Sequence, residues 1–309
     1  MPEFVEPLRR RHKGRGSRPI RVALAAGLVA VASVGLRSGR LAVSRARAEP
    51  SSRPGVCPSE MVRVRGFCVD RWEASMVDRK TSEPLSPYYP PEPRLLAEVW
   101  QAWEFDRSSF GAEGARAMPL PEISEWERTH AFEPRAVSRP DVVPQAYVSY
   151  VLAKEACENA GKRLCTRDEW MTACRGEHGT KFPYGEDFER AKCNIWGDVH
   201  PGIALHQSAI FGHRDPRLNL VTEGDHPLLR KTGETPTCVS RFGSDGAYDM
   251  VGNVDEWVDD DHPAFVGGFY ARATTNGCEA RVSNHAPGYY DYSLGARCCK
   301  DAAASTPPE

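Results

Sequence analysis

Between Gly246 and Trp257 the chain reads Gly-Ala-Tyr-Asp-Met-Val-Gly-Asn-Val-Asp-Glu-Trp, which sets the carboxylates of Asp249 and Glu256 on either side of Gly252. A glycine-loosened backbone there can turn the carbonyls of Gly252 and Val254 toward the same centre. Such hard oxygen donors suit Ca²⁺ and match a thiophilic metal poorly. The competing reading is a surface turn with solvated charges, and spacing alone does not decide between them. Asp259-Asp260-Asp261-His262 is a second anionic run, most simply a solvated acidic turn. His200, His206, His213, His226, His262 and His285 fall in one half of the chain, where a cluster could bind a transition metal, although scattered surface histidines are the simpler account. No Gly-x-Ser-x-Gly elbow, phosphate loop or dinucleotide fingerprint is present, so nucleophilic hydrolysis and nucleotide chemistry have no support.

The elements that must position these groups are short. Cys57 to Ala74 alternates as a strand pair would, with Gly66 at the turn. Residues 80–144 are Pro-rich yet carry Trp100, Trp103, Phe105 and Trp126, bulky apolar groups that would be costly to leave in water. They read as an ordered insertion packed on the core, with a short helix at Pro93 to Glu104. Ser149 can cap a helix running to Ala160, with Gly161 as the left-handed terminator. Thr166-Arg167-Asp168-Glu169 is a capping box for a second helix that buries Trp170, Ala173 and Cys174, and Trp170 can close over Cys165 as a hydrophobic staple. From Gly176 onward turn residues recur every few positions, and a core held by turns calls for cross-links or bound ions.

The chain has 309 residues, 40% of them hydrophobic, enough for one sizeable domain plus a leader. Ahead of Glu49, 11 basic residues flank the apolar run Val22 to Leu36. Residues 1–48 therefore read as a signal peptide or an N-terminal signal anchor. At about 15 residues the run has the length of a signal h-region and falls short of a transmembrane helix. Residues 49–56 form a linker, 57–300 the domain and 301–309 a polar tail. Taking the leader's 11 basic and two acidic residues from the chain's 40 and 42 leaves 29 and 40, a mature net charge of about −11 that argues against nucleic acid as a partner. A membrane is a partner only if the leader is kept as an anchor. All ten cysteines, Cys57, Cys68, Cys157, Cys165, Cys174, Cys193, Cys238, Cys278, Cys298 and Cys299, follow the leader. An even count in an exported chain argues for disulfides, and no Cys-x-x-Cys pair supports zinc.

The 246–257 run, with Ala160 to Trp170, Phe182-Pro183-Tyr184-Gly185, Asn194-Ile195-Trp196, Gly267-Gly268 and Gly295-Ala296-Arg297-Cys298, resembles in order the motifs of the formylglycine-generating enzyme, or sulfatase-modifying factor, family. The resemblance spans about Met61 to Lys300. It implies a single loop-rich α+β domain related to C-type lectin-like folds, with few regular elements, stabilised by disulfides and calcium. It implies the disulfides Cys157–Cys298 and Cys174–Cys278, and the other six cysteines could pair as Cys57–Cys68, Cys193–Cys238 and Cys165–Cys299 among 15 connectivities. It implies structural Ca²⁺ on Asp249, Gly252, Val254 and Glu256, and a second ion at Asn194 and Ile195 with Asp198, Asp215 and Asp225 competing to complete it. Formylglycine-generating members hold copper on two further cysteines after the double glycine. Here Arg272 occupies the first such position and the second has no counterpart, and a guanidinium cannot replace a soft thiolate. Sulfatase activation and bound copper are therefore not expected, and the His-x-x-x-His-x-Glu pattern of iron-dependent relatives is missing too. The reading is an exported binding module for a peptide or small-molecule ligand, in a cleft lined by Phe269, Tyr270, Arg272, Tyr289, Tyr290 and Tyr292. Its rival is an oxidoreductase acting on an exported peptide or metabolite through Tyr270, Arg272, Glu279 and His285.

Overall fold

The computed structural model describes residues 57–106, 116 and 118–302. The expected leader and linker, and the tail beyond residue 302, lie outside them. None of the described helices is long and apolar enough to cross a membrane.

The chain opens on the hairpin β1 (Met61–Val64) and β2 (Phe67–Asp70), as the alternation predicts. Its turn differs in one detail, since Arg65 carries the positive φ of +52°. Strand β3 (Ala74–Asp78) pairs with β4 (Pro134–Ser138) from Ala74↔Ser138 to Asp78↔Pro134, so the two ends of the Pro-rich insertion are clamped together. Inside it lie α1 (Pro93–Asp106), two residues longer than expected, and α2 (Glu125–Thr129). Leu85, Tyr89, Leu96, Val99 and Phe132 of the insertion are buried in the same core as Trp257 and Tyr270, which makes it part of the domain.

The two central helices form where their caps predict. Helix α3 (Tyr150–Asn159) starts on Ser149, whose hydroxyl accepts from the Leu152 amide, and is followed by Gly161 at φ +67°. After the short strand β5 (Arg163–Leu164), α4 (Arg167–Arg175) starts on a complete Thr166/Glu169 capping box and buries Trp170, Ala173 and Cys174. A third helix, α5 (Pro201–His206), follows in the loop-rich half, where turn residues had suggested none. Short strands complete the fold: β6 (Thr222–Glu223), β7 (His226–Pro227), β8 (Val239–Phe242), β9 (Asp245–Tyr248), β10 (Asp255–Val258), β11 (Ala264–Val266), β12 (Arg281–Val282), β13 (Leu294–Ala296) and β14 (Cys298–Asp301). They build a sheet β1-β2-β14-β5, which joins the two ends of the domain, and a sheet β12-β11-β10-β13. The parallel β10–β13 pair sets Glu256 beside Gly295, two residues before Arg297.

Candidate ligand cleft at the double glycine

All ten cysteines are in disulfides. Cys157–Cys298 fastens α3 to β14, and Cys174–Cys278 fastens α4 to the 3-10 turn at Gly277–Glu279. The other six pair as Cys57–Cys68, Cys165–Cys299 and Cys193–Cys238. Cys278 with Cys298 or Cys299 is thus no thiolate pair.

The residues expected to line a cleft are set by Gly267 and Gly268, which hold φ of +91° and +80°. A Cβ at Gly267 would stand 2.8 Å from the Met250 carbonyl, and one at Gly268 2.8 Å from the Ile195 side chain, so both conformation and space demand glycine. The tight turn lets buried Asp255 of β10 accept from the Gly268 amide at 2.9 Å and meet Arg272 at 2.7 Å. Burial pushes the Asp255 carboxyl up to about 7 although Arg272 opposes the shift. Arg272, 23% exposed, lies over Phe265 at 5.7 Å and Phe269 at 5.5 Å. It is a cation at the position where the family resemblance sets a copper-binding cysteine.

Aromatic and imidazole groups surround it. Phe269 meets Tyr292 edge to face at 5.6 Å, and the Tyr292 hydroxyl lies 3.3 Å from His200 Nε2. Tyr289 donates to Asp291 at 2.6 Å and stacks on His285 at 4.0 Å, whose other face meets Phe265. Burial and nearby His213 both hold His200 below the usual imidazole range. The surface thus offers the partly exposed Arg272 guanidinium with the Tyr289, His285 and His200 rings, over Phe265 and Phe269 that are themselves buried. Among the expected lining, Tyr270 turns inward, its hydroxyl donating to Asn219 at 2.8 Å, and Tyr290 and Tyr292 are 4% exposed and work mostly as walls. Of the four residues of the oxidoreductase alternative, Arg272 shares Phe265 with His285 and Phe269 with Tyr270, while Glu279 is tied to Arg175 at 2.6 Å. Asp255 and Asp291 are the groups that residue pattern did not single out, and His200 stood in it only among the scattered histidines. Asp255 stands inside the motif beside Glu256, and only the tertiary structure turns it toward Arg272.

The acidic run at 246–257 lies deeper. Asp249, Gly252 and Asn253 take left-handed φ of +58°, +88° and +60°. Asn253 pins the turn by donating to Glu73 at 2.7 Å and to the Arg230 carbonyl, while accepting from Asn194 and the Arg230 amide. Glu256 accepts from Arg297 at 2.7 Å and from the Trp170 indole at 2.6 Å, and Asp249 accepts from the Gly233 amide. Glu73, Asp249 and Glu256 are all buried, and Arg297 is the guanidinium buried with them. Burial pushes both Glu73 and Asp249 up, Asp249 to about 7. Among the described residues no three His, Cys, Asp or Glu side chains converge as a metal site, but the calcium set needs only two carboxylates plus carbonyls. Three buried acids face one guanidinium, and burial favours the neutral forms of Glu73 and Asp249, so a hard divalent ion held there would have to supply the charge that ionises them; Glu256 would have to share its oxygens with Arg297. The second expected site is less complete. The Asn194 carbonyl accepts from the Asn253 amide, Asp198 pairs with Arg190, Asp215 is buried with Arg217 and His206, and Asp225 is exposed.

Fold and site define a loop-rich α+β domain braced by five disulfides, with a double-glycine turn at its centre. The sulfatase-modifying factor enzyme 1-like domain matches residues 22–302, and the chain belongs to that family. It is similar to inactive C-alpha-formylglycine-generating enzyme 2 of Mus musculus, 25% identical over 219 residues, covering 68% of this chain and 63% of the relative. It is similar as well to the formylglycine-generating enzyme of Thermomonospora curvata, 25% identical over 252 residues, covering 77% and 72%. The chain thus spans just under two thirds of the length of the first relative. Among solved structures it resembles PvdO from Pseudomonas aeruginosa, with a TM-score of 0.35 and 17% identity over 81% of this chain and all of that one.

Proposed function

We propose that this chain is a non-activating member of its family: an extracytoplasmic module that binds a peptide or small-molecule ligand in the Arg272 cleft and does not carry out copper-dependent cysteine oxidation. The observation that carries this reading is the Arg272–Asp255 ion pair where the family resemblance sets a thiolate, together with the absence of any free cysteine. Similarity to relatives named inactive supports it. Five disulfides support folding in an oxidising compartment. In the cleft, Arg272 would orient a ligand carboxylate while the partly exposed Tyr289 and His285 rings supply apolar contact. Structural Ca²⁺ on Asp249 and Glu256, with the Gly252 and Val254 carbonyls, is part of the proposal.

The test is incubation of the oxidised chain with copper and a sulfatase-derived cysteine peptide, read by mass spectrometry. The expected result is an unaltered cysteine, and aldehyde formation at catalytic turnover would overturn the reading. Metal analysis after dialysis without chelator should find Ca²⁺ near stoichiometric. Melting should rise with added Ca²⁺, since an ion bound only by the folded state stabilises it by mass action, and Asp249→Asn should remove that rise.

A further inference from the structure

Outside the cleft, the junction of α1 and α5 carries an unusual surface. Phe105 near the end of α1 is 84% exposed, Ile203 on α5 55%, and Ile210 and Phe211 on the following loop 71% and 65%. The Trp103 ring meets His206 at 5.5 Å and so sets α1 against α5. Four of the six exposed large apolar side chains among the described residues thus stand on elements that meet at one place. They sit on a built loop. The Gln207 amide donates to Ile203, Ser208 to Gly202 and Asp215 to Gly212, and Gly212 holds φ +77° where a Cβ would run into the His206 ring. A groove of about 310 Å³ is lined there by Trp103, Ile210, Phe211, Arg214, Tyr289 and Tyr290.

Arg214 gives the groove its sign. Its guanidinium lies over the Tyr290 ring at 4.4 Å and forms no ion pair among the described residues. No acid lines the groove, and the acids that act on Tyr290 are engaged, Glu92 just before α1 with the Arg94 and Leu95 amides of its first turn and Glu98 with Arg94. Tyr, Trp and Arg around an apolar patch are the residue types that dominate protein contacts. A second copy of the chain is disfavoured as occupant, since a two-fold contact would set Arg214 against Arg214 with no acid in the patch to meet either. One cation is also a weak recruiter to an anionic lipid surface.

We propose that this groove docks an extended segment of a partner protein in which an aromatic or branched apolar residue stands next to an acidic one. The apolar side chain packs against Ile210, Phe211 and Trp103, and the carboxylate pairs with Arg214. The groove shares Tyr289 and Tyr290 with the residues of the proposed Arg272 cleft but uses a different cation, Arg214.

The experiment uses the full-length chain, made in an oxidising compartment, and a fluorescein-labelled peptide Asp-Phe-Glu-Leu-Asp read by anisotropy. Saturable binding is expected, weakened about tenfold or more by Phe211→Ser and by Arg214→Glu. Val151→Ser, which removes an exposed apolar side chain from α3, should leave it unchanged. Peptides with Lys for the acids, or Ser for Phe and Leu, should bind much more weakly. Absence of binding, or binding indifferent to both groove substitutions, overturns the proposal. So does sensitivity to Phe211→Ser that appears instead in self-association by light scattering, or in co-sedimentation with phosphatidylglycerol vesicles.

Discussion

At the residue scale the decisive substitution is Arg272. A guanidinium anchored by Asp255 over two phenyl rings cannot bind copper as a thiolate does, and it fills the place where one would stand. Restoring a cysteine there should not restore oxidation. The Arg272→Cys chain, assayed with copper and a cysteine peptide, is expected to give no aldehyde, because a single thiolate lacks its partner and Cys278 is bound to Cys174. A second residue-scale consequence concerns Arg297, which donates to Glu256, the Asp70 carbonyl and the Tyr248 carbonyl while fully buried. Replacing it with Ala strands a buried carboxylate near two others, and the expected loss is about 3–5 kcal/mol in urea unfolding. Unchanged stability would mean that Glu256 is neutralised by something else, with a bound cation the first candidate.

At the element scale, the fold depends on a few local devices. The capping box of α4 satisfies the amides at the helix start and also holds Arg163, whose guanidinium contacts Glu169 at 2.6 Å. Thr166→Ala should therefore cost about 1 kcal/mol of stability in chemical denaturation, while Thr166→Ser should cost much less. The double glycine is less forgiving. Gly267→Ala must place a methyl against the Met250 carbonyl and the Trp170 ring at a positive φ, and a clear drop in melting temperature is expected, larger than that for Thr166→Ala. Both predictions follow from backbone conformation and do not depend on the ligand.

At the scale of the whole molecule, stability should depend on pH in a definite direction. Buried Asp70 is pushed up to about 6 mainly by burial despite Lys162, and Glu127 is pushed up to about 7 for the same reason. A carboxyl that holds its proton more tightly folded than unfolded stabilises the fold below the ordinary carboxylate range, and that contribution fades as pH rises through 6 to 7. Against their burial, Asp78 is held low by hydrogen bonds from Thr81 and backbone amides and Asp215 by His206 and Arg217, so their contribution fades in the opposite direction, as pH falls through the acidic range. The expected profile has its melting maximum near pH 4–5 and declines toward pH 7.5, and a flat or rising curve over that interval would contradict it. Reduction should be severe: Cys157–Cys298 closes a separation of 141 residues, for which chain entropy gives about 4–5 kcal/mol.

What the sequence by itself determined is local or carried by motif order. Caps, the Gly161 terminator, the α1 segment and the clash between Arg272 and copper chemistry are legible because each depends on neighbouring residues or on a side chain's own chemistry. The family motifs carried the disulfides Cys157–Cys298 and Cys174–Cys278, while the remaining three pairs, with separations of 11, 45 and 134 residues, stayed open among 15 connectivities until the chain was folded, since spacing alone does not select a partner. Only the tertiary structure brought Glu73 to Asn253, 180 residues away, and so made the acidic turn part of a buried charge cluster. Only it turned Asp255 onto Arg272, and set α1 against α5 so that Phe211 and Arg214 share one groove with Trp103. The physical reason is the same in each case. Desolvation and charge pairing are set by what packs across the fold, and in a loop-rich chain those partners come from distant segments that no periodic pattern connects.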